Sequence, residues 1–193
     1  GDTEIQGNDF QQDATGGKAI VFESQYASPP SAGRIDISDN TLYGKANFIV
    51  WNSWVGSAAP KSVELNVDHN TVVKTKGPAV ALIPPAASTV GFGQFSRITI
   101  ANTIVERAGG DAVYVDYTYS PANPDTPDNG QIQIGHMLTY QNTASAGTND
   151  PTKNFGFSPN APTSPWPSTF NIDGPTNVNG KDPRLANPAP GDF

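Results

Sequence analysis

The chain contains no cysteine, few basic residues and no long apolar segment. Because none of the 193 residues is a cysteine, disulfide bonds and thiol chemistry are excluded. No apolar run approaches the roughly 20 residues that a membrane-spanning helix needs, so we expect no membrane span. Lys and Arg number 11 against 18 Asp and Glu, and the net charge of −7 argues against nucleic acid as a partner.

The chain does contain a recurring motif, here called the phrase. In each copy an apolar residue precedes an asparagine, and a second apolar residue lies two positions after that asparagine. The four asparagines are Asn8, Asn40, Asn70 and Asn102, with spacings of 32, 30 and 32 residues. A period of this size is typical of stacked repeat architectures. We therefore predict that these asparagines form one ladder. A second stack beside it would consist of Phe10, Leu42, Val72 and Ile104.

Each copy of the phrase is followed by a glycine, which is a turn signal, and then by a short apolar run. The glycines are Gly17, Gly44, Gly77 and Gly110. The phrase itself lies on segments that alternate with period two, such as Ile35 and Ile37, which predicts half-buried strands. The sequence therefore predicts an all-β fold, a parallel β-helix (β-solenoid) of about five coils stacked about 4.8 Å apart.

Through these repeats, over roughly residues 5–144, the chain resembles the right-handed parallel β-helix proteins of the pectin-lyase-like superfamily. The tail from Asn177 to Leu185, followed by Gly191-Asp192-Phe193, resembles the closing segment of many secreted β-helix domains. The composition agrees with a secreted protein, and we expect an extracellular, cell-surface or periplasmic location. The resemblance is to an architecture and does not single out one enzyme.

The repeat pattern loosens after Ile134, and five prolines occupy residues 145–168. We therefore expect coils over residues 1–144, with an irregular Pro-rich wrap and closing segment of the same domain over residues 145–193. The first repeat begins by residue 5 without a preceding cap, and a bare solenoid end offers unpaired strand edges. We expect either a C-terminal part of a longer helix or a chain that docks another protein chain at its N-terminal coil.

In members of this superfamily the active residues lie on the outside of one parallel sheet. In the glycine-led strands, alternation predicts one outward column of Val21, Ile49, Ala81 and Tyr114, and a second of Glu23, Trp51, Ile83 and Asp116. This predicted face is mostly apolar, with carboxylates only at its two ends. The Asp-Asp pair and Gly-His-Gly signature of polygalacturonase-like members is absent. The sequence therefore leaves open whether the chain is an enzyme.

Aromatic residues are the strongest candidates for function, because aromatic faces stack on sugar rings and also anchor protein interfaces. The predicted ligand-binding residues are Trp51, Trp54, Tyr114, Tyr117 and Glu23. The leading interpretation is a polysaccharide-directed module that binds an extended glycan, either alone or as part of a lyase. The alternative is a structural, adhesion or assembly protein that pairs with other chains through its bare end and aromatic face. A third interpretation of these aromatics is that the Pro-rich wrap covers them.

Other residues are weaker candidates. Arg107, Asp111 and Asp116 could supply catalytic groups, although a salt bridge between Arg107 and Glu106 explains part of this cluster equally well. No cofactor is expected other than calcium, for which Asp125 and Asp128 are the candidate ligands, with an ordinary turn as the alternative. The two histidines, His69 and His136, do not suffice for a metal triad.

Overall fold

The computed structural model consists of short parallel strands joined by turns. It describes residues 2–12, 17–24, 33–53, 63–82, 95–115, 132–143, 155–157, 170–172, 177–180 and 183, with the backbone alone at 22–24, 51–53, 95, 115, 155–157, 170–172 and 179. The strands are β1 (Thr3–Gln6), β2 (Asp9–Gln12), β3 (Lys18–Ser24), β4 (Gly33–Ser38), β5 (Thr41–Gly44), β6 (Asn47–Ser53), β7 (Val63–Asp68), β8 (Thr71–Val73), β9 (Val80–Leu82), β10 (Phe95–Ala101), β11 (Ile104–Glu106), β12 (Val113–Val115), β13 (Ile132–Gly135), β14 (Leu138–Tyr140), β15 (Phe155–Phe157), β16 (Phe170–Ile172) and β17 (Val178–Asn179).

These strands form three sheets in which all neighbours are parallel. Sheet A is β1-β4-β7-β10-β13-β16, sheet B is β2-β5-β8-β11-β14-β17, and sheet C is β3-β6-β9-β12-β15. The chain visits sheets A, B and C in turn and then returns to sheet A one strand further along. Each circuit of three strands is one coil, so five coils are complete and β16 and β17 begin a sixth. This all-β arrangement is compatible with a parallel β-helix.

Strands continue into the segment for which we expected an irregular wrap. Within residues 145–193, β15 pairs with β12, β16 with β13 and β17 with β14, each in parallel. The rest of that segment lies largely outside the described residues, and the boundary at residue 144 stays a prediction. Across the described ranges, no helix has the length and apolar character needed to cross a membrane.

The residues that the apolar alternation predicted to point inward form the core. In sheet A, Ile37, Val67, Ile100 and Ile134 stand in one column, and all four are buried in the same cluster. In the strands of this sheet from β4 to β13, alternate side chains point to this cluster, as expected of strands with one face toward a core. The intervening side chains point away from the core and form the outer face of the sheet.

The connection from sheet A to sheet B is a two-residue turn in all five complete coils. Its first residue has a positive φ each time: Gly7, Asp39, His69, Asn102 and His136, with angles between 47° and 66°. Glycine, Asn, Asp and His tolerate this left-handed conformation better than other residues. The turn geometry therefore accounts for both histidines of the chain.

The second residues of the first four turns form the ladder, and here the sequence prediction is partly wrong. The backbone N–H of Asn8 donates to Asn40 Oδ1 at 3.0 Å, and that of Asn40 donates to Asn70 Oδ1 at 3.0 Å. The next acceptor is Thr103 Oγ1, 3.5 Å from Asn70 N. Asn102 precedes it, in the left-handed turn position. Asn suits both positions of the turn, so residue identity alone misplaced the fourth repeat by one residue.

The same one-residue error in the predicted register affects the apolar stack beside the ladder. Phe10, Leu42 and Val72 stand in register as predicted, but the fourth member is Val105. Ile104 pairs with Thr71 and lies half-buried on the outer side of sheet B. Val105 is fully buried, which confirms its place in the core.

In sheet C the predicted columns are displaced by one residue at strand β6, whereas Val21, Ala81 and Tyr114 stand in the one column predicted for them. The amides of Phe48 and Ile49 both donate to the carbonyl of Ala79, each at 3.0 Å, which is the pattern of a β-bulge. After this bulge Ile49 pairs with Ile20 and Val80 and is fully buried in the core, so its predicted outward direction is wrong. Trp51 accordingly pairs with Phe22 and Leu82, and not with Glu23 and Ile83.

Candidate functional site

The outer face of sheet A is a continuous polar surface. Three neighbouring strands carry a charged residue close to their start: Arg34 in β4, Glu64 in β7 and Arg97 in β10. The register places Glu64 opposite both Arg34 and Arg97, so the charges alternate along one column. A second column, two residues further along each strand, runs through Glu4, Asp36, Asn66, Thr99 and Gln133.

Hydrogen bonds and ion pairs connect the two columns. Asp36 Oδ1 accepts hydrogen bonds from Arg34 Nη2 at 2.7 Å, from Arg34 Nε at 2.8 Å and from Asn66 Nδ2 at 3.1 Å. Arg97 Nη2 donates to Glu64 Oε1 at 3.0 Å. All these groups remain partly exposed, with 53% of the Arg97 side chain and 43% of the Glu64 side chain accessible. Exposed pairs of this kind contribute little to stability, roughly 0–1 kcal/mol each. They are therefore available to a ligand at low cost.

Between these side chains lies a shallow concavity of about 210 Å³. Its lining consists of Arg34, Glu64, Leu65, Asn66, Arg97 and Thr99. The concavity spans three consecutive coils and offers guanidinium, amide, hydroxyl and carboxylate groups side by side. Small-molecule sites are usually deep and mostly apolar, whereas this one is open and polar. Such a surface suits an extended polar ligand that crosses several strands.

The connections that join sheet C to sheet A are long, counted in residues. They comprise residues 25–32, 54–62, 83–94, 116–131 and 158–169, against two residues for each of the five complete turns from A to B. Trp54 belongs to one of these connections and lies outside the described residues.

The outer column of sheet C differs from the prediction. It contains Val21, Val50, Ala81 and Tyr114 in register. Val21 is 40% exposed and Tyr114 is half-buried, but Val50 and Ala81 are buried although neither belongs to the core cluster. The middle of this face is therefore covered, and it offers no open apolar track between Val21 and Tyr114.

The remaining predicted ligand-binding residues have no described side chain. Trp51 and Glu23 are described by their backbone alone, and Tyr117 lies outside the described residues. Their role in ligand binding stays a prediction. The sequence analysis missed the outer face of sheet A, although a signal was present: a charged residue stands at the same position of three successive alternating strands.

The weaker catalytic cluster is only partly described. Arg107 Nε lies 3.1 Å from Glu106 Oε1, which confirms the salt bridge. The Glu106 side chain is 3% exposed, Arg107 has a φ of 54°, and its Nε also donates to Gln141 Oε1 at 3.3 Å. Asp111 is fully buried in the turn that follows, and Asp116 lies outside the described residues. A catalytic role for these groups stays a prediction.

The His, Asp and Glu side chains are the candidate metal ligands of this chain. Among the described residues, no group of three or more His, Asp or Glu side chains is arranged to hold a metal ion. His69 Nδ1 lies 2.8 Å from Asp68 Oδ2, whose other oxygen accepts Asn102 Nδ2 at 2.8 Å. Both candidate calcium ligands, Asp125 and Asp128, lie outside the described residues, and their role stays a prediction.

Comparison with protein-family models, with curated proteins and with solved structures found no match to this chain. The case for a function therefore depends on the geometry of the outer face of sheet A.

Proposed function

We propose that this chain is a polysaccharide-binding module, a right-handed parallel β-helix related to the pectin-lyase-like superfamily, that works outside the cell or in the periplasm. An extended glycan lies across the outer face of sheet A. The observation that carries the proposal is the polar concavity formed by Arg34, Glu64, Asn66, Arg97 and Thr99 over three coils.

The repeat of the surface matches the repeat of a polymer. Equivalent side chains on neighbouring coils are about 4.8 Å apart, so a chain of sugars that crosses the strands meets hydrogen-bonding groups at regular intervals. Planar carboxylate, amide and guanidinium groups each offer two hydrogen-bonding atoms, which suits neighbouring hydroxyls on a sugar ring. The shallow shape leaves room for an unbranched polymer to enter and leave at both sides.

Cleavage of the glycan is a separate proposal. A lyase would need a base and, in this superfamily, commonly a calcium ion. The residues that could supply them here are Arg107, Asp111, Asp116, Asp125 and Asp128, of which only the first two are described. Binding requires none of them, so the binding proposal stands independently of any activity.

Removing two polar groups from the concavity is expected to weaken glycan binding by about tenfold or more. Asn66→Ala combined with Thr99→Val deletes an amide and a hydroxyl, each worth roughly 0.5–1.5 kcal/mol as a hydrogen-bond partner. Both side chains are on the outer face, so the melting temperature should change little. Glycan-array screening of the wild type identifies a ligand, and calorimetric titration with that ligand compares the proteins.

Thr71→Val is the matched control, because Thr71 is a half-buried strand residue on the outer face of sheet B. It should bind the glycan as the wild type does. Normal binding by the double variant would move the site away from sheet A, and no glycan binding by the wild type would overturn the proposed function.

A second candidate function is assembly with another protein chain at the first coil. The apolar side chains of Phe10, Ala19, Leu42 and Ala46 line a concavity of about 320 Å³ there, with polar residues around it. Phe10 and Ala19 are only partly buried, whereas the equivalent positions of inner coils are buried. Self-association in light scattering, together with no response on the glycan array, would favour this candidate over glycan binding.

A further inference from the structure

We infer that the glycan bound on sheet A is a neutral polysaccharide and not a polyuronate or another acidic polymer. This inference rests on the proposed function and specifies the ligand class of the same concavity. It depends on the sign of the charges on the outer face, on how they are paired, and on which hydrogen-bonding groups they leave for a ligand.

The outer face carries more negative than positive charge. The strands of sheet A contribute two guanidiniums, from Arg34 and Arg97, and four carboxylates, from Glu4, Asp36, Glu64 and Asp68. The chain as a whole has a net charge of −7. A polyanion approaching this surface is repelled by the excess of carboxylates at any distance within the Debye length, about 8–10 Å in ordinary buffers.

The two guanidiniums do not offset this repulsion, since each is already paired. Arg34 pairs with Asp36 at 2.7 Å and Arg97 with Glu64 at 3.0 Å. A ligand carboxylate that bound either arginine would come close to the protein carboxylate already bound there. Like charges placed this close destabilise the complex.

Hydrogen-bonding capacity favours the same ligand class. Within the concavity, the second oxygen of Glu64 and the Thr99 hydroxyl accept hydrogen bonds, while Arg34, Arg97 and Asn66 donate them. The second oxygen of Asp36, which pairs in register with Asn66, is a further acceptor. A sugar hydroxyl both donates and accepts, so it satisfies either kind of group. A ligand carboxylate only accepts, so it supplies no donor to the second oxygens of Asp36 and Glu64. The surface is therefore complementary to a polyol.

The test uses one polymer in two charge states: a polyuronate and the same polymer after chemical reduction of its carboxyl groups. An array of neutral and acidic glycans provides the wider survey. We expect array binding to neutral glycans, and at least tenfold tighter binding of the reduced polymer than of the polyuronate. The Kd for the neutral ligand should change by less than about twofold between about 0.02 M and 0.5 M salt, because it involves no ion pair.

Glu64→Gln provides the second arm, since it removes a carboxylate and frees the Arg97 guanidinium. This variant should gain measurable affinity for the polyuronate at low salt and lose it at high salt. Tighter binding of the polyuronate by the wild type, with a Kd that weakens several-fold as salt rises, would overturn the neutral-ligand inference while leaving the glycan-binding function intact. If the wild type bound neither polymer and nothing on the array, the proposed function itself would be wrong.

Discussion

Replacing Gly44 with alanine is expected to lower the free energy of unfolding by about 4 kcal/mol, a loss at the upper end for single substitutions. Gly44 ends strand β5 with a φ of 128°, a conformation that residues with a side chain rarely adopt. A Cβ atom there would lie 2.1 Å from the carbonyl oxygen of Gln12 and 2.8 Å from its carbonyl carbon. These are backbone atoms of the adjacent coil, and the Gln12 carbonyl also accepts Lys45 N at 2.7 Å. Neither coil can yield without breaking that bond, and urea denaturation measures the loss.

Gly7→Ala is the matched control for this substitution. Gly7 also has a positive φ, 66°, but no atom lies within 4 Å of the Cβ that alanine would add. Only the backbone strain of a left-handed alanine remains, about 1 kcal/mol. If both variants lost the same free energy of unfolding, the first two coils would not approach each other at Gly44 as closely as the structure describes.

Asn70→Leu is expected to destabilise the chain by about 3 kcal/mol. Asn70 is buried, and its Nδ2 donates to the carbonyls of Ile37 and Asp68, each at 2.9 Å. Its Oδ1 accepts the backbone N–H of Asn40 at 3.0 Å and the Asn40 side-chain amide at 3.1 Å. Leucine fills a similar volume but leaves these buried groups without partners, at roughly 1–3 kcal/mol for each group left unsatisfied. Thermal and urea denaturation both measure the effect.

Asn102→Gly distinguishes the observed ladder, which passes through Thr103, from the predicted ladder, which passes through Asn102. Asn102 is exposed, has a φ of 47°, and its side-chain amide donates to Asp68 Oδ1 at 2.8 Å. Glycine tolerates this conformation, so the substitution should change stability by less than about 0.5 kcal/mol. A loss comparable to that of Asn70→Leu would show that the ladder passes through Asn102 and that our register is wrong.

The sequence predicted the elements of the fold that depend on periodicity. Alternation identified the inward residues of sheet A, such as Ile37 and Val67, and the repeat period identified the stacking of coils. It also identified two inner members of the ladder, Asn40 and Asn70. These features repeat many times along the chain, so a local irregularity does not obscure them.

Errors arose where the coils differ in length by one residue. The bulge at Phe48 and Ile49 is a hydrogen-bonding feature that the apolar run Phe48-Ile49-Val50 does not reveal, because all three residues suit a buried position. Asn102 is likewise acceptable in either turn position, so the asparagine alone does not determine which turn residue joins the ladder. In each case the register depends on pairing with the neighbouring coil, which alternation within one strand does not determine.

The candidate site was missed for a different reason. The aromatic residues that suggested a site belong to or follow the glycine-led strands of sheet C, whereas the open polar surface lies on the first strand of each coil, in sheet A. Arg34, Glu64 and Arg97 are separated by 30 and 33 residues in sequence, and only strand pairing brings them into one column. Solvated charges at strand starts are common, so their alternation becomes informative only when the register is known.

The central claim is that the outer face of sheet A binds a glycan, and an NMR titration tests it most directly. Isotopically labelled protein is titrated with a neutral oligosaccharide selected on the array, and the backbone amide shifts are followed residue by residue. We predict that the largest changes cluster at Glu64, Asn66, Arg97 and Thr99, and that the Asn66→Ala, Thr99→Val variant loses them. Changes centred on Tyr114 and the rest of sheet C, with sheet A unaffected, would contradict the account.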